Sequence, residues 1–346
     1  MRLMSSPWFA AGNLAALAAL AAATATAANS PHYGGTLRVE IRQSFETPDP
    51  PTTGYGMPDL ARGFAITHWE AGRRAVYAAD ENAPGGRPFL DTVEIQTARP
   101  LRDQSVDLEL GKTDVVELGP GELRRQPAGR KVWASAPVRL VALVFAPRVE
   151  NARIREALAL AVDRAAIHNV LLQRQGEVSA ALLPQWLSGY AFLFPAAAAD
   201  IVRARTLVAG LPAAARAVSL GVEDAAARPI AERIALNARD AGLAVSVVPQ
   251  AAGAGARLVE VRISSSDPAL ALAGIAVSLG FPEPPRAASP EALYAAERAL
   301  LEGFRVIPLF HLPDAYGVNP RVKGRPGITP LGEWRFENLW VEGGRP

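Results

Sequence analysis

Hydrophobic and polar positions follow two periods along this chain. Thr36-Leu37-Arg38-Val39-Glu40-Ile41 alternates, as a strand with one buried face does, and Gly34-Gly35 before it marks a turn. Phe64–Thr67 and Arg74–Tyr77 read as two short strands around Ala71-Gly72, and Asp91–Gln96 as another. Val106–Leu110 ends a short helix, and Asp114–Leu118 is a buried strand. Ile154, Leu158, Ala161 and Val162 recur at helical spacing, and Asp163 caps a second helix whose apolar side carries Ile167, Leu171 and Leu172 before Gly176 stops it. Val218–Val222 is a strand. Pro229–Ala241 is a helix with Ile230 and Ile234 stacked, Gly242 suits its C-terminal cap, and Leu243, Val245 and Val247 alternate as the next strand. That strand–helix–strand unit predicts a parallel, right-handed crossover. Ser289-Pro290-Glu291 starts a late helix with Leu293, Leu300 and Leu301 on its apolar side, Gly303 ends it, and Val306–Phe310 is a strand. The Pro- and Gly-rich segment Thr47–Pro58 is a loop or linker.

The opening segment breaks this pattern. Arg2 is followed by the alanine-rich apolar run Leu14–Ala23, and Ala25-Thr26-Ala27 offers the small residues a signal peptidase reads. A cleaved signal peptide over 1–28 is expected, with a retained anchor as the alternative, and an exported protein follows. The whole 346-residue chain is 49% hydrophobic and 20% charged, enough for one large or two ordinary domains. Lys and Arg total 36 against 34 Asp and Glu, a net charge of +2 that argues against nucleic-acid binding. There is no cysteine, which excludes disulfides, thiolate metal sites, Cys nucleophiles and a lipidated N-terminal cysteine.

Catalytic patterns are absent. The histidines, His32, His68, His168 and His311, are too far apart for a helical metal pair. No Gly-x-Ser-x-Gly elbow or phosphate loop occurs, and Gly253 and Gly255 lack the third glycine of a dinucleotide loop. The acidic neighbours Glu117 and Glu122, and Glu156 and Asp163, read as solvated surface and not as a glycosidase pair. No enzyme, metal or cofactor is predicted.

Several stretches together resemble the family 5 extracellular solute-binding proteins, the periplasmic receptors of peptide and nickel ABC importers. Tyr33–Val39 is similar to their first strand after the signal. Phe64–Asp91 resembles the strand, glycine turn, strand and GGRP-type loop that follow, and Gly111-Lys112-Thr113-Asp114 their step into the next strand. Ala152–Ile167 is the most specific match, close to the family's helix pair. Leu183–Phe194 resembles the loop after it, and Ala292–Leu309 with Val322-Lys323-Gly324 the closing helix, strand and turn. The resemblance implies an α/β, two-lobed periplasmic binding protein-like fold of type II, the peptide-binding class. Lobe I would comprise 34–146 and 306–346, and lobe II 147–305. It implies a monomeric receptor that captures a peptide or similar small solute between the lobes and delivers it to permease subunits in the inner membrane.

Among the chain's departures from that pattern, two bear most on fold and binding. Between Ile41 and Phe64 only a short bridge replaces the family's small additional domain, so the fold is a reduced one. Where peptide-binding members hold the ligand's amino terminus with an Asp, this sequence has Ser264, and Asp267 is the surviving acid. The candidate ligand-binding residues are Trp186, Tyr190 and Phe192 in an aromatic loop that also carries Phe194, together with Asp267, His311, Tyr316 and Trp69. Each has a structural alternative: loop packing for the aromatics, a helix cap for Asp267, and crossover packing for His311 and Tyr316. A degenerate relative serving as an interaction or scaffolding protein is the alternative function.

Overall fold

The structure, a computed structural model, describes residues 30–44, 63–119, 121–122 and 130–342. The expected signal peptide and the Thr47–Pro58 bridge lie outside the described residues. Helices α1 (Leu101–Glu109), α2 (Ala152–Ala161), α3 (Arg164–Val170), α4 (Gln185–Ser188), α5 (Ile201–Val208), α6 (Arg228–Asp240), α7 (Pro268–Ser278) and α8 (Pro290–Leu301) pack around one large mixed sheet. Its strands are β1 (Thr36–Glu40), β2 (Phe64–Glu70), β3 (Arg74–Ala79), β4 (Thr92–Gln96), β5 (Val115–Glu117), β6 (Lys131–Phe145), β7 (Glu177–Val178), β8 (Ala217–Gly221), β9 (Ala244–Val248), β10 (Ala256–Arg262) and β11 (Val306–Val318). The order is β2-β3-β4-β1-β5-β11-β6-β10-β8-β9, with β7 added alongside β11. Short pairs β12 (Val322–Lys323) with β15 (Trp340–Val341), and β13 (Gly327–Ile328) with β14 (Trp334–Arg335), complete the C-terminal segment.

The expected crossover is present: β8 runs parallel to β9, Val218 opposite Val245, with α6 between them. In α6, Ile230 and Ile234 are buried one turn apart, and Pro229 falls in the first turn, where the missing N–H costs nothing. Asn151 and Asp163 cap α2 and α3, accepting hydrogen bonds from the backbone N–H groups of Arg153 (3.0 Å) and Ala166 (2.8 Å). Gly176 is required beside β7. Its φ is +71°, and a Cβ there would lie 2.2 Å from the carbonyl oxygen of His311.

Two strands pass from one core to another. Around Trp133, Tyr316 and Val318, β6 and β11 join a core that includes Leu37, Val39, Tyr77, Val93, Ile95 and Trp334. Further along the same strands, Val141, Leu143 and Phe145 face a second core with α2, α5 and α6. Leu140, Ala142 and Val144 face a third, with α7 and α8, on the opposite side of the sheet. That part of β6 is buried on both faces, so its sequence VRLVALVF shows no alternation. The change of core falls where Pro137 stands opposite Pro313, with register shifts on β11 at both sides of Pro313. Neither proline has an N–H to give the ladder. Side chains use the carbonyls there instead: Trp186 Nε1 donates to Pro137 O (2.7 Å) and Arg139 Nη2 to Pro313 O (2.7 Å).

Candidate functional site

A hollow of about 400 Å³ opens at this crossing. From the first-core side it is lined by Arg42 and Gln43 after β1, Glu117 and Leu118 at the end of β5, and Tyr316 on β11. Arg139 on β6, Glu260 and Arg262 on β10, and Asp314 and Ala315 on β11 complete the wall. The charged groups arrive from strands far apart in sequence but adjacent in the sheet. Arg139 is opposite Arg262 in the β6–β10 register, and Tyr316 is opposite Glu117 in the β5–β11 register.

These charges form two clusters of ion pairs. Arg139 binds Glu260 through Nη1 (2.8 Å) and Asp314 through Nε (3.1 Å), and Arg262 Nη2 reaches the other Asp314 oxygen at 2.6 Å. Burial disfavours the Arg139 cation, yet Glu260 and Asp314 hold its pKa above the ordinary arginine value. Arg42 is shared across the hollow. Its Nη1 lies 3.0 Å from Asp224, just past β8, and its Nε lies 3.4 Å from Glu117, whose carboxylate also accepts the Arg42 backbone N–H at 2.7 Å. Burial nevertheless raises the Glu117 carboxyl above its usual range. A site of this kind offers both signs of charge to an incoming polar solute.

The sequence-predicted residues are dispersed around the molecule. Tyr316 is in the wall of the hollow, its ring packed edge-on against Trp334 (4.7 Å). Trp186 reaches the crossing from behind, where its indole N–H is committed to Pro137. Tyr190 is buried in the third core: its hydroxyl donates to Glu297 Oε2 (2.8 Å) and its ring meets Tyr294 edge-on. Phe192 is 69% exposed on the outer surface, and Trp69 packs on the first core from edge strand β2. Asp267 caps α7, accepting from Ala269 N (2.8 Å) and Leu270 N (3.2 Å). Trp186, Tyr190 and Phe194 of the aromatic loop thus pack on the third core, and none of its aromatics lines the hollow. The loop is pinned by Glu297, a fully buried carboxylate that accepts the backbone N–H groups of Leu182 and Leu183.

Glu117 is a correction: it faces the hollow, whereas Glu122 bonds Gly119 N, Glu156 pairs with Arg203 and Asp163 caps α3. Arg139 had one legible signal, a lone charge inside the apolar run VRLVALVF, which is costly unless a partner is near.

His311 is also turned away from the hollow. It is 1% exposed, and its Nε2 donates to Leu182 O at 3.0 Å. Burial pushes its pKa down from 6.5 to about 4, against the opposing effect of that hydrogen bond. The unfolded chain therefore binds a proton that the folded one refuses, and stability falls as pH drops from about 6.5 toward about 4. The loss attributable to His311 is about 3 kcal/mol, at about 1.4 kcal/mol per pH unit. Urea unfolding at a series of pH values should show that slope for the wild type and a curve flatter by that amount for His311→Gln, which keeps a donor without titrating. Parallel curves would refute it.

Among the described residues, no helix is long and apolar enough to cross a membrane, and no group of three or more His, Asp or Glu side chains is placed to hold a metal ion. No curated protein matches the sequence. The fold is that of several solved structures. An ABC transporter substrate-binding protein, CtaP, from Listeria monocytogenes superposes with a TM-score of 0.67 at 13% identity, over 81% of this chain and 66% of that one. A dipeptide-binding protein from Pseudoalteromonas sp. SM9913, in complex with Met-Leu, gives 0.66 at 14%, over 81% and 64%. NikA from Staphylococcus aureus, in complex with Ni(L-His)2, gives 0.67 at 14%, over 81% and 68%. The chain thus spans about two thirds of the length of these proteins, slightly less for the first two, and has a reduced version of their two-lobed type II fold. The family described as bacterial extracellular solute-binding proteins, family 5 (middle), matches residues 39–288. That is well over half of the sequence, and the chain belongs to this family.

Proposed function

We propose that this chain is the solute receptor of an ABC-type importer. It is exported by a signal peptide over 1–28, acts as a periplasmic monomer, captures a peptide or similar small solute between two lobes and hands it to permease subunits in the inner membrane. No bond is broken and no cofactor is used. The observation that carries this reading is the hollow at the crossing of β6 and β11. It is concave, charged with both signs, and walled by residues on both sides of the opposed Pro137 and Pro313. The lobes we propose meet at Pro137 and Pro313, so the long strands are shared between them and not assigned whole to lobe I. A solute in the hollow is held by Arg42, Glu117, Arg139, Glu260 and Tyr316, and its charged ends replace part of the pairing that Arg42 and Arg139 now make with protein carboxylates.

A second reading, a relative that serves as an interaction protein without taking up solute, draws on the same ion pairs. The arginines of the hollow already have acidic partners, and Ser264, in the place of the family's amine anchor, is outside the wall. A thermal-shift screen of the purified protein against di- to pentapeptides, nickel chelates and small sugars separates the two. A free solute at about a hundred times its Kd adds about 2.7 kcal/mol to folding. The expected result is a concentration-dependent rise in midpoint with short peptides that carry both charges. A cooperative melt that no solute shifts would overturn the receptor reading in favour of the second.

A further inference from the structure

Away from the cleft, β6 ends in a second hollow. Five residues separate Arg139 in the cleft wall from Val144 in this one, ~17 Å along the strand. The volume is about 700 Å³. It forms because the sheet face covered by α7 continues past that helix's last turn. Buried Val144 and Leu279 with half-buried Phe281 make an apolar floor and side. Three arginines from three separate elements stand around it: Arg148 in the turn after β6, Arg257 on β10 and Arg305 just before β11. The backbone holds them in register. Arg257 is opposite Val144 in the β6–β10 ladder, the Arg305 carbonyl accepts Phe145 N at 2.9 Å, and Arg148 Nη2 donates to Gly253 O.

The charge balance here differs from that of the cleft. There every arginine has a carboxylate partner. Here Glu223 is the one acid in the wall, and among the described residues Arg257 and Arg305 make no ion pair and donate no side-chain hydrogen bond. A fourth arginine, Arg155, stands behind them, its Nε bonded to Gly303 O at 2.7 Å. Burial, and then the Arg305 charge, lower its pKa from the ordinary value, as expected where positive charge is left uncompensated. Guanidinium groups bind carboxylate or phosphate oxygens in pairs, and an apolar surface beside them favours a ligand with an apolar body.

From this geometry we infer a second binding site, separate from the cleft, that takes a small organic anion: a carboxylate or phosphate head between Arg148, Arg257 and Arg305, with an apolar group over Leu279 and Phe281. The inference does not depend on solute capture in the cleft.

Isothermal titration of the full chain with phenyl phosphate and with inorganic phosphate tests it. Saturable one-site binding of phenyl phosphate is expected, about tenfold tighter than inorganic phosphate because of the ring, and weakened by salt. The double variant R257Q/R305Q, with both side chains partly in solvent, should melt as the wild type does and bind phenyl phosphate about tenfold more weakly or worse. Arg139→Met, in the cleft, should leave that affinity unchanged. Non-saturable binding, equal affinity for the double variant and the wild type, or loss of binding with Arg139→Met in place of the double variant would each overturn the assignment. The last result would mean that the anion enters the cleft.

Discussion

Replacing Asp114 with alanine is expected to lower the free energy of unfolding by about 3 kcal/mol or more, the low end of what breaking a buried ion pair costs. The carboxylate has no exposed surface and ties together three parts of the chain distant in sequence. It accepts the backbone N–H of Arg38 (2.9 Å) and the Arg38 Nε (3.3 Å) from β1, and Nε and Nη2 (2.7 Å) of Arg321 from the C-terminal segment. The Asp114 carbonyl receives Asn319 N at 2.8 Å, so backbone and side chain both fasten the segment that follows β11. Alanine leaves two guanidinium groups facing each other and the Arg38 amide without its partner. Each arginine is about a third exposed, and water reaching them keeps the cost near the lower bound. Asp114→Asn retains an acceptor for the amide and loses the charge, so about half the effect is expected. Urea unfolding of both variants measures this. A shift below about 0.5 kcal/mol for alanine, the size of an ordinary surface change, would show that Asp114 does not anchor the C-terminal segment.

What the sequence disclosed followed from how completely each element carried its own signals. The β8–α6–β9 unit was legible because α6 buries one stripe, starts on a proline and ends at Gly242, while β8 alternates. The strand β6 was missed although it is the longest, because burial on both faces removes the period-2 pattern that marks a strand. The α7 segment PALALAGIAVS was missed for a related reason: it is apolar nearly all round, and only the Asp267 cap marks its start. Val306–Phe310 was read as a strand, but the ladder runs on to Val318. Pro308 and Pro313, which argue against a central strand, are accommodated there by register shifts.

The site was less legible than the fold. Aromatic side chains in one loop drew the prediction toward Trp186, Tyr190 and Phe192, since local clustering is visible in a sequence. Their surroundings explain the outcome. Glu297, more than a hundred positions from Tyr190, takes its hydroxyl into the core, and Pro137 takes the Trp186 N–H. The ion pairs in and beside the hollow were hidden for the complementary reason. Arg42, Glu117, Arg139, Asp224, Glu260 and Asp314 come from six separate segments, and their pairing exists only once the strand order brings β1, β5, β11, β6, β10 and β8 side by side. No spacing rule connects them. Arg139, which joins Glu260 to Asp314, is also the residue whose removal says most about function.

Arg139→Met is expected to weaken binding of whichever short peptide gives the largest thermal shift by about 30-fold or more, corresponding to about 2 kcal/mol, as for truncation of one member of a buried charge pair. The effect on folding should be smaller. Asp314 keeps Arg262 at 2.6 Å, Glu260 is over a third exposed and can turn to water, and the methionine fills much of the volume of the arginine stem. The Pro313 carbonyl alone loses a donor outright. Arg139→Lys distinguishes charge from shape. A lysine retains the positive charge but cannot give Glu260, Asp314 and Pro313 separate donors in the fixed planar fork, so it should recover stability more fully than affinity. Calorimetric titration and thermal melts of the three proteins give both quantities. If methionine and lysine variants bind the peptide as the wild type does, the solute does not contact this wall, and the hollow at the crossing is a hinge sealed by its own charges. If both lose affinity while melting near the wild type, Arg139 is a ligand contact, and the solute takes the place of part of its carboxylate pairing.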